Sequence, residues 1–331
     1  MQDLSELKLA GNVVFGQDGH LFLASDRHFT MDVLTGQKKT TERSLRNFKE
    51  NLNRREVLSR RAGARYLHLV APDKHVALRQ HFPLSDFVVL GEQYRDHATP
   101  NFLYPVEELR AVGGGYSRTD THWNVRGQIA IAGLLARSFE LEPAEVAAAE
   151  AVLQRQIRPG TRPTAGDLGV KLTPPQTELM ESYRVPWKIH SFSNEMQSGN
   201  DGRIRITFSE SPHARGRLLI FGDSFIAQTQ NALTAFFKEI VFCRTRFFHH
   251  EMVVATRPDY VLSENVERYL FAVGTDAEAP PMLLMAQLSG HQVSFTEQNL
   301  AAFGAIMAPR SRHYKDFVGK LYGAEAVAEP A

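Results

Sequence analysis

The chain has 331 residues, 43% of them hydrophobic, with 38 Lys and Arg against 37 Asp and Glu. That balance leaves no overall field to recruit nucleic acid or an anionic membrane, and the apolar fraction is ample for a sizeable core. The single cysteine, Cys243, excludes an intrachain disulfide and any cysteine-cluster metal site.

The N-terminal stretch from Met1 to Lys8 has no basic segment followed by an apolar one, and no apolar run reaches spanning length. The chain as written is therefore expected to be cytoplasmic with no membrane span of its own; a truncated start would make it periplasmic. Two short strands are predicted at Asn12–Phe15 and His20–Ala24, because the Asp18–Gly19 pair between apolar runs favours a hairpin. Basic residues cluster at Lys38–Arg43 and from Arg54–Arg55 to Arg60–Arg61. Acidic residues and leucines at helical spacing accompany them, so Thr41 to Arg61 reads as a helix whose basic residues form a solvated face. It feeds a strand, Arg65–Ala71, closed by Pro72 and followed by a loop to His75, with a further helix around Leu84–Glu92.

Gly113–Gly114–Gly115 break the chain ahead of a loop from Tyr116 to Asn124, after which Val125–Phe139 and Pro143–Gln156 have helical spacing. Arg158 to Val185 is rich in Pro, Gly and Thr and reads as a surface excursion or lid-like insertion. Strands resume near Trp187–Phe192 and Arg203–Phe208. Further on, Leu218–Phe221 is an apolar strand that ends in Gly222–Asp223–Ser224, and Phe225–Lys238 has helical spacing. Ile240–Phe248 and Tyr260–Leu262 are strand candidates, a helix is expected near Glu264, Met282–Leu288 reads as a last strand, and Phe295–Met307 as a helix before an Ala/Glu/Pro tail. Strands alternating with helices imply an α/β sheet. The expectation is a single domain with a core of about residues 11–272 and an extension over 273–331.

Ser224 thus falls at a strand-to-helix turn, where the N–H groups of a helix start are unpaired within the helix and the hydroxyl is exposed. That position suits a nucleophile and equally suits an ordinary helix cap. A nucleophilic serine needs a base, and the base needs an orienting acid. Asp120 and His122, two residues apart in an extended loop, can face the same way and supply both. The plainer alternatives are a packing histidine and an aspartate capping the helix near Asn124. A metal site among the 13 histidines, which include His249–His250 and those between Ala71 and His81, is not expected, because adjacent histidines diverge and make a poor bidentate site.

Asp120–Thr121–His122–Trp123–Asn124, with Phe221–Gly222–Asp223–Ser224–Phe225 about a hundred residues later, resembles the SGNH hydrolase-like domain of the alginate O-acetyltransferase AlgJ/AlgX family. Further matching stretches are Val14–Leu23, Ala71–Pro72–Asp73–Lys74, Arg257–Pro258–Asp259 and Glu267–Arg268–Tyr269–Leu270. The resemblance implies an SGNH/flavodoxin-like three-layer α/β/α sandwich in which the Asp-x-His motif precedes the nucleophile, permuted from ordinary SGNH esterases. It also implies that Ser224 accepts an acetyl group, His122 is the general base, Asp120 orients it, and the Ser224 N–H belongs to the oxyanion hole. The acetyl would pass to sugar hydroxyls of an exopolysaccharide or other glycan, with no cofactor. The donor would be a small molecule or a partner such as a membrane-bound acyltransferase. Members acting on exported polysaccharide carry a signal peptide or anchor, which this chain as written lacks, and after Leu270 too little sequence follows for a carbohydrate-binding module. Tyr116, Trp123, Asn124 and Arg268 are candidates to line a glycan cleft, although Trp123 and Tyr269 equally suit a core. An acetylesterase with the same triad, and a silent glycan-binding or scaffold protein, are the alternative readings.

Overall fold

The computed structural model describes residues 7–24 and 29–307. The expected Ala/Glu/Pro tail lies outside the described residues. A seven-stranded sheet runs through the centre, in the order Phe102–Leu103, Arg65–Ala71, Tyr260–Val266, Arg217–Gly222, Glu239–Arg244, Ile204–Ser209, Ile189–Ser193. The first five strands are parallel and the last two join as an antiparallel hairpin at the edge.

The strand Arg217–Gly222 has neighbours on both sides, and its stretch Leu218–Phe221 is apolar for that reason. Leu218 and Ile220 enter one core, while Leu219 and Phe221 enter another on the opposite face. This is the two-residue alternation of a strand buried on both sides. The first core is covered by the helices Val125–Ser138, Pro143–Arg155 and Ser224–Leu233; the second lies under His250–Thr256 and Glu297–Met307. Helices on both faces make the fold a three-layer α/β/α sandwich, as the resemblance implies.

The connections place the site. From Arg217–Gly222 the chain crosses one face through Ser224–Leu233 to Glu239–Arg244. It then returns over the opposite face through His250–Thr256 to Tyr260–Val266, on the other side of the starting strand. The carboxyl end of Arg217–Gly222 is therefore a switch point, where open parallel sheets hold their ligands.

Several elements depart from the sequence reading. The Tyr260 strand continues to Val266 because all seven of its residues pair with Arg65–Ala71. No helix starts near Glu264; a 3-10 turn, Glu267–Phe271, follows instead. The strand expected over Ile240–Phe248 ends at Arg244. Lys74–Ala77 forms one helical turn where a loop was expected, and the helix expected around Leu84–Glu92 spans Leu90–Arg95, because Leu84 and Phe87 are buried by irregular chain. Met282–Leu288 is not a strand but a 3-10 turn and a helix, and a short apolar run has no periodicity that separates these cases. Arg55 is not on a solvated face: it is 5% exposed and paired with Asp276. Cys243 is fully buried in its strand, and burial pushes its thiol up, away from reactivity.

Candidate active site

Ser224 is the first residue of the helix Ser224–Leu233, so its N–H has no partner within that helix. The preceding turn is held by carboxylates. Asp223 caps the helix, accepting from the Phe225 N–H at 2.9 Å through Oδ1 and from the Val266 N–H at 2.8 Å through Oδ2. Glu264 Oε2 accepts the Asp223 N–H at 2.8 Å. Gly222 has to be glycine, since a Cβ there would lie 2.5 Å from Ile226 Cγ2 and 2.8 Å from Glu264 Oε2. Glu264 is 1% exposed, and burial first, then the neighbouring Asp223 charge, holds its carboxyl well above the usual range. Sequence reasoning missed this residue, because Ser263, Glu264 and Asn265 end the apolar run and the strand was expected to stop at Leu262.

The second part of the site is the loop Tyr116–Asn124. Tyr116 and Trp123 bridge across it in antiparallel fashion. Asn124 closes it by capping the helix Val125–Ser138: its Oδ1 accepts the Gly127 N–H at 2.9 Å and its Nδ2 donates to Tyr116 O at 3.1 Å. Between these anchors His122 Nε2 lies 2.9 Å from Ser224 Oγ, and His122 Nδ1 lies 2.8 Å from Asp120 Oδ1. The same Asp120 oxygen accepts the His122 backbone N–H at 2.8 Å, and Asp120 Oδ2 accepts the Asp167 N–H at 3.2 Å. Burial alone would raise the Asp120 carboxyl. The bonds and charge of His122, aided by the Asp167 N–H, outweigh it and bring the group down to about 2. The three residues singled out as nucleophile, base and orienting carboxylate are thus brought together across a hundred residues of chain. With Asp120 accepting, the Nδ1–H tautomer is favoured and the Nε2 lone pair faces the serine hydroxyl.

Lys74 supports that loop from below. It is 4% exposed, and its Nζ donates to the carbonyls of Leu21 and Arg118 at 2.8 Å and of Asp120 at 3.0 Å. Burial lowers its ammonium to about 7, against the opposing pull of Glu178, Asp120 and Asp167. Three acceptors match the three N–H groups of the protonated form. A Lys74→Met variant, which leaves those carbonyls buried and unpaired, is expected to lose roughly 2–4 kcal/mol of stability, read as a lower urea midpoint. An unchanged midpoint would show that water replaces the ammonium without cost.

The residues proposed to line a glycan cleft fare differently. Tyr116 and Trp123 are 4% and 3% exposed, the indole N–H donates to Tyr116 Oη at 3.0 Å, and Tyr116 Oη in turn donates to Pro72 O. Their polar atoms are used internally and their rings are core, which corrects their assignment to a cleft. Asn124 is a cap, as described. Arg268 Nη1 donates to Asp73, and its guanidinium stands 5.7 Å from the Phe225 ring centre; that ring packs on His122 at 4.9 Å. Arg268 therefore backs the imidazole through Phe225. A cavity of about 30 Å³ opens beside the nucleophile turn and shares Arg246, Asn265 and Tyr269 with a larger one of about 180 Å³ lined by Phe29, Phe247 and Phe271.

Asp120, His122 and Asp167 bring a ring nitrogen and two carboxylates within 4.8 Å of one another. Each is engaged in the hydrogen bonds given above or with Thr121. Among the described residues no helix is long and apolar enough to cross a membrane.

No family model matches this chain, and neither does any curated protein. Solved structures do. PatB1 of Bacillus cereus, determined with a sulfonyl adduct, superposes with a TM-score of 0.57 at 11% identity, over 84% of this chain and 99% of that one. A DHHW family protein from Eubacterium siraeum gives 0.53 at 13%, over 82% and 96%. The O-acetyltransferase domain of Pseudomonas putida AlgJ gives 0.49 at 18%, over 81% and 96%. At such identities what PatB1 and the DHHW protein share with this chain is the fold, across nearly their whole length.

Proposed function

We propose that this chain is a serine acyltransferase that carries an acetyl group on Ser224 and passes it to sugar hydroxyls of an exopolysaccharide or other glycan. The observation that carries this reading is His122, hydrogen-bonded through one ring nitrogen to Ser224 Oγ and through the other to Asp120.

In the first half-reaction His122 Nε2 takes the Ser224 proton as Oγ attacks the acetyl carbonyl. The resulting imidazolium is stabilised by Asp120. The oxyanion receives the Ser224 N–H at the start of its helix. Collapse breaks the bond to the donor's leaving group, which takes the proton from His122, and acetyl-Ser224 remains. In the second half-reaction His122 takes the proton of a sugar hydroxyl, whose oxygen attacks the acetyl-serine. Collapse of that adduct returns the proton to Ser224 Oγ and releases the acetylated sugar. Glu264 and Asp223 hold the turn that aims both Oγ and N–H.

The test is incubation with p-nitrophenyl acetate, followed by intact mass and peptide mapping, first alone and then with oligosaccharide acceptors. An acetyl adduct on the peptide containing Ser224 and mass gain on the sugar are expected. Hydrolysis with no sugar product would make the protein an acetylesterase instead, and no adduct at all would favour a glycan-binding or scaffold role.

A further inference from the structure

The excursion over residues 158–185 is folded against the loop that carries His122. Its turns are pinned to the Thr119 backbone, which accepts the N–H groups of Leu168 at 3.1 Å and Gly169 at 2.9 Å. Gly166 lies so close that a Cβ there would be 2.5 Å from Thr119 O. Glu178 closes the far side, accepting the Thr119 N–H at 2.7 Å and the Thr119 hydroxyl at 2.8 Å. This clamp delivers Asp167 to the catalytic unit. Its Oδ1 accepts the Thr121 N–H at 2.7 Å, its Oδ2 accepts the Thr121 hydroxyl, and that oxygen stands 3.7 Å from His122 Nδ1. Its own N–H donates to Asp120 Oδ2 at 3.2 Å.

We propose that Asp167 is a second carboxylate of the site, a positioning residue that locks the Asp120–His122 unit in register and places a further negative charge beside the imidazolium formed during transfer. The inference rests on the acyl-transfer reading above. Two arrangements would each have sufficed to hold the loop: a hydrogen bond to Thr121 from any polar side chain, or the carboxylate of Asp120 alone. The structure instead puts a carboxylate oxygen 3.7 Å from Nδ1. The other charged groups around His122 are Asp120, Lys74 on the Asp120 carbonyl, the Arg118–Glu178 pair, and Arg268 with Asp73 behind Phe225. Asp167 is the one among these acids, besides Asp120, with an oxygen within 4 Å of the ring.

Removing the charge destabilises the imidazolium relative to the neutral base, so the acid limb of kcat/KM moves to lower pH. The side chain is 37% exposed, so solvent screens it, and the expected displacement is roughly 0.5–1 pH unit. The experiment compares the parent with Asp167→Asn, Thr121→Val and Ser224→Ala, using p-nitrophenyl acetate across pH. Asp167→Asn is expected to shift the acid limb down, with kcat lower by roughly threefold to tenfold and KM little changed. Thr121→Val, which breaks the hydroxyl bond but keeps the charge, is expected to lower kcat and leave the limb in place. If Ser224→Ala is dead but Asp167→Asn leaves the limb unmoved, or Thr121→Val moves it equally, Asp167 has no electrostatic role and the proposal falls. If Ser224→Ala turns over like the parent, the acyl-serine reading fails, and the Asp167 proposal with it.

Discussion

Ser224→Ala and His122→Ala are each expected to lower turnover of p-nitrophenyl acetate by a factor on the order of 10⁴ to 10⁶, and the double variant is expected to lose no more than either alone. The reason is that the two side chains act as one device. His122 Nε2 stands 2.9 Å from Ser224 Oγ, and in the proposed first half-reaction it removes that hydroxyl proton. Without the hydroxyl the base has no proton to take; without the base the hydroxyl, protonated at any working pH, attacks slowly. What survives in the double variant is substrate binding and the N–H at the start of the helix. Steady-state rates for the four proteins measure the coupling directly. Multiplicative losses would mean that the two residues serve separate steps, and the shared-device account would be withdrawn.

Asp276→Ala should be the most damaging single change to the fold, costing about 3–5 kcal/mol. Arg55 and Asp276 form a bidentate pair, Nε to Oδ2 at 2.8 Å and Nη2 to Oδ1 at 2.7 Å, with both side chains 6% exposed. Burial by itself would weaken the guanidinium's hold on its proton, and the Asp276 carboxylate more than restores it. Truncating the acid leaves a buried cation uncompensated and also orphans the Phe248 N–H, which donates to Asp276 Oδ1 at 3.0 Å. An Arg55→Met, Asp276→Leu double variant removes both charges together and is expected to recover most of the loss, short of that one N–H. Guanidinium or urea midpoints for the three variants decide this, and equal losses in the single and double variants would show that shape rather than charge is the cause.

Arg55 also marks the point where sequence reasoning goes wrong. The run of Arg54, Arg60 and Arg61 suggests a solvated face, yet the neighbours of Arg55 at helical spacing are Asn51, Leu52, Leu58 and Ser59, and it lies on the buried stripe with Asn51, Leu52 and Ser59. Its burial is decided by Asp276, over two hundred residues away. Glu264 and Asp167 are the same case in the site: one closes the nucleophile turn from a neighbouring strand, the other reaches the histidine from a Pro- and Gly-rich stretch that looks like mere surface. Tyr116 and Trp123 err in the opposite direction. Aromatic residues beside a catalytic motif suit a sugar cleft, yet these two lock the loop by bonding to each other. The strand Tyr260–Val266 was cut short in the sequence reading because Ser263, Glu264 and Asn265 interrupt its apolar run. Only pairing along its whole length with Arg65–Ala71 makes those residues strand.

What the sequence by itself determined about this protein is local and periodic. Apolar runs of strand length, helical spacing after Ser224 and Asn124, and an aspartate two residues before a histidine are all written within a few residues of chain. They sufficed for an α/β sheet and for naming Ser224, His122 and Asp120 as candidates, while the three-layer sandwich was implied by the family resemblance. The tertiary structure decided everything that depends on residues far apart in the chain: which strand lies beside which, where the switch point falls, which charges are buried, and whether a serine, a histidine and two aspartates meet. Those outcomes depend on distances of a few ångströms set by the packing of the two cores, and no spacing along the chain encodes them.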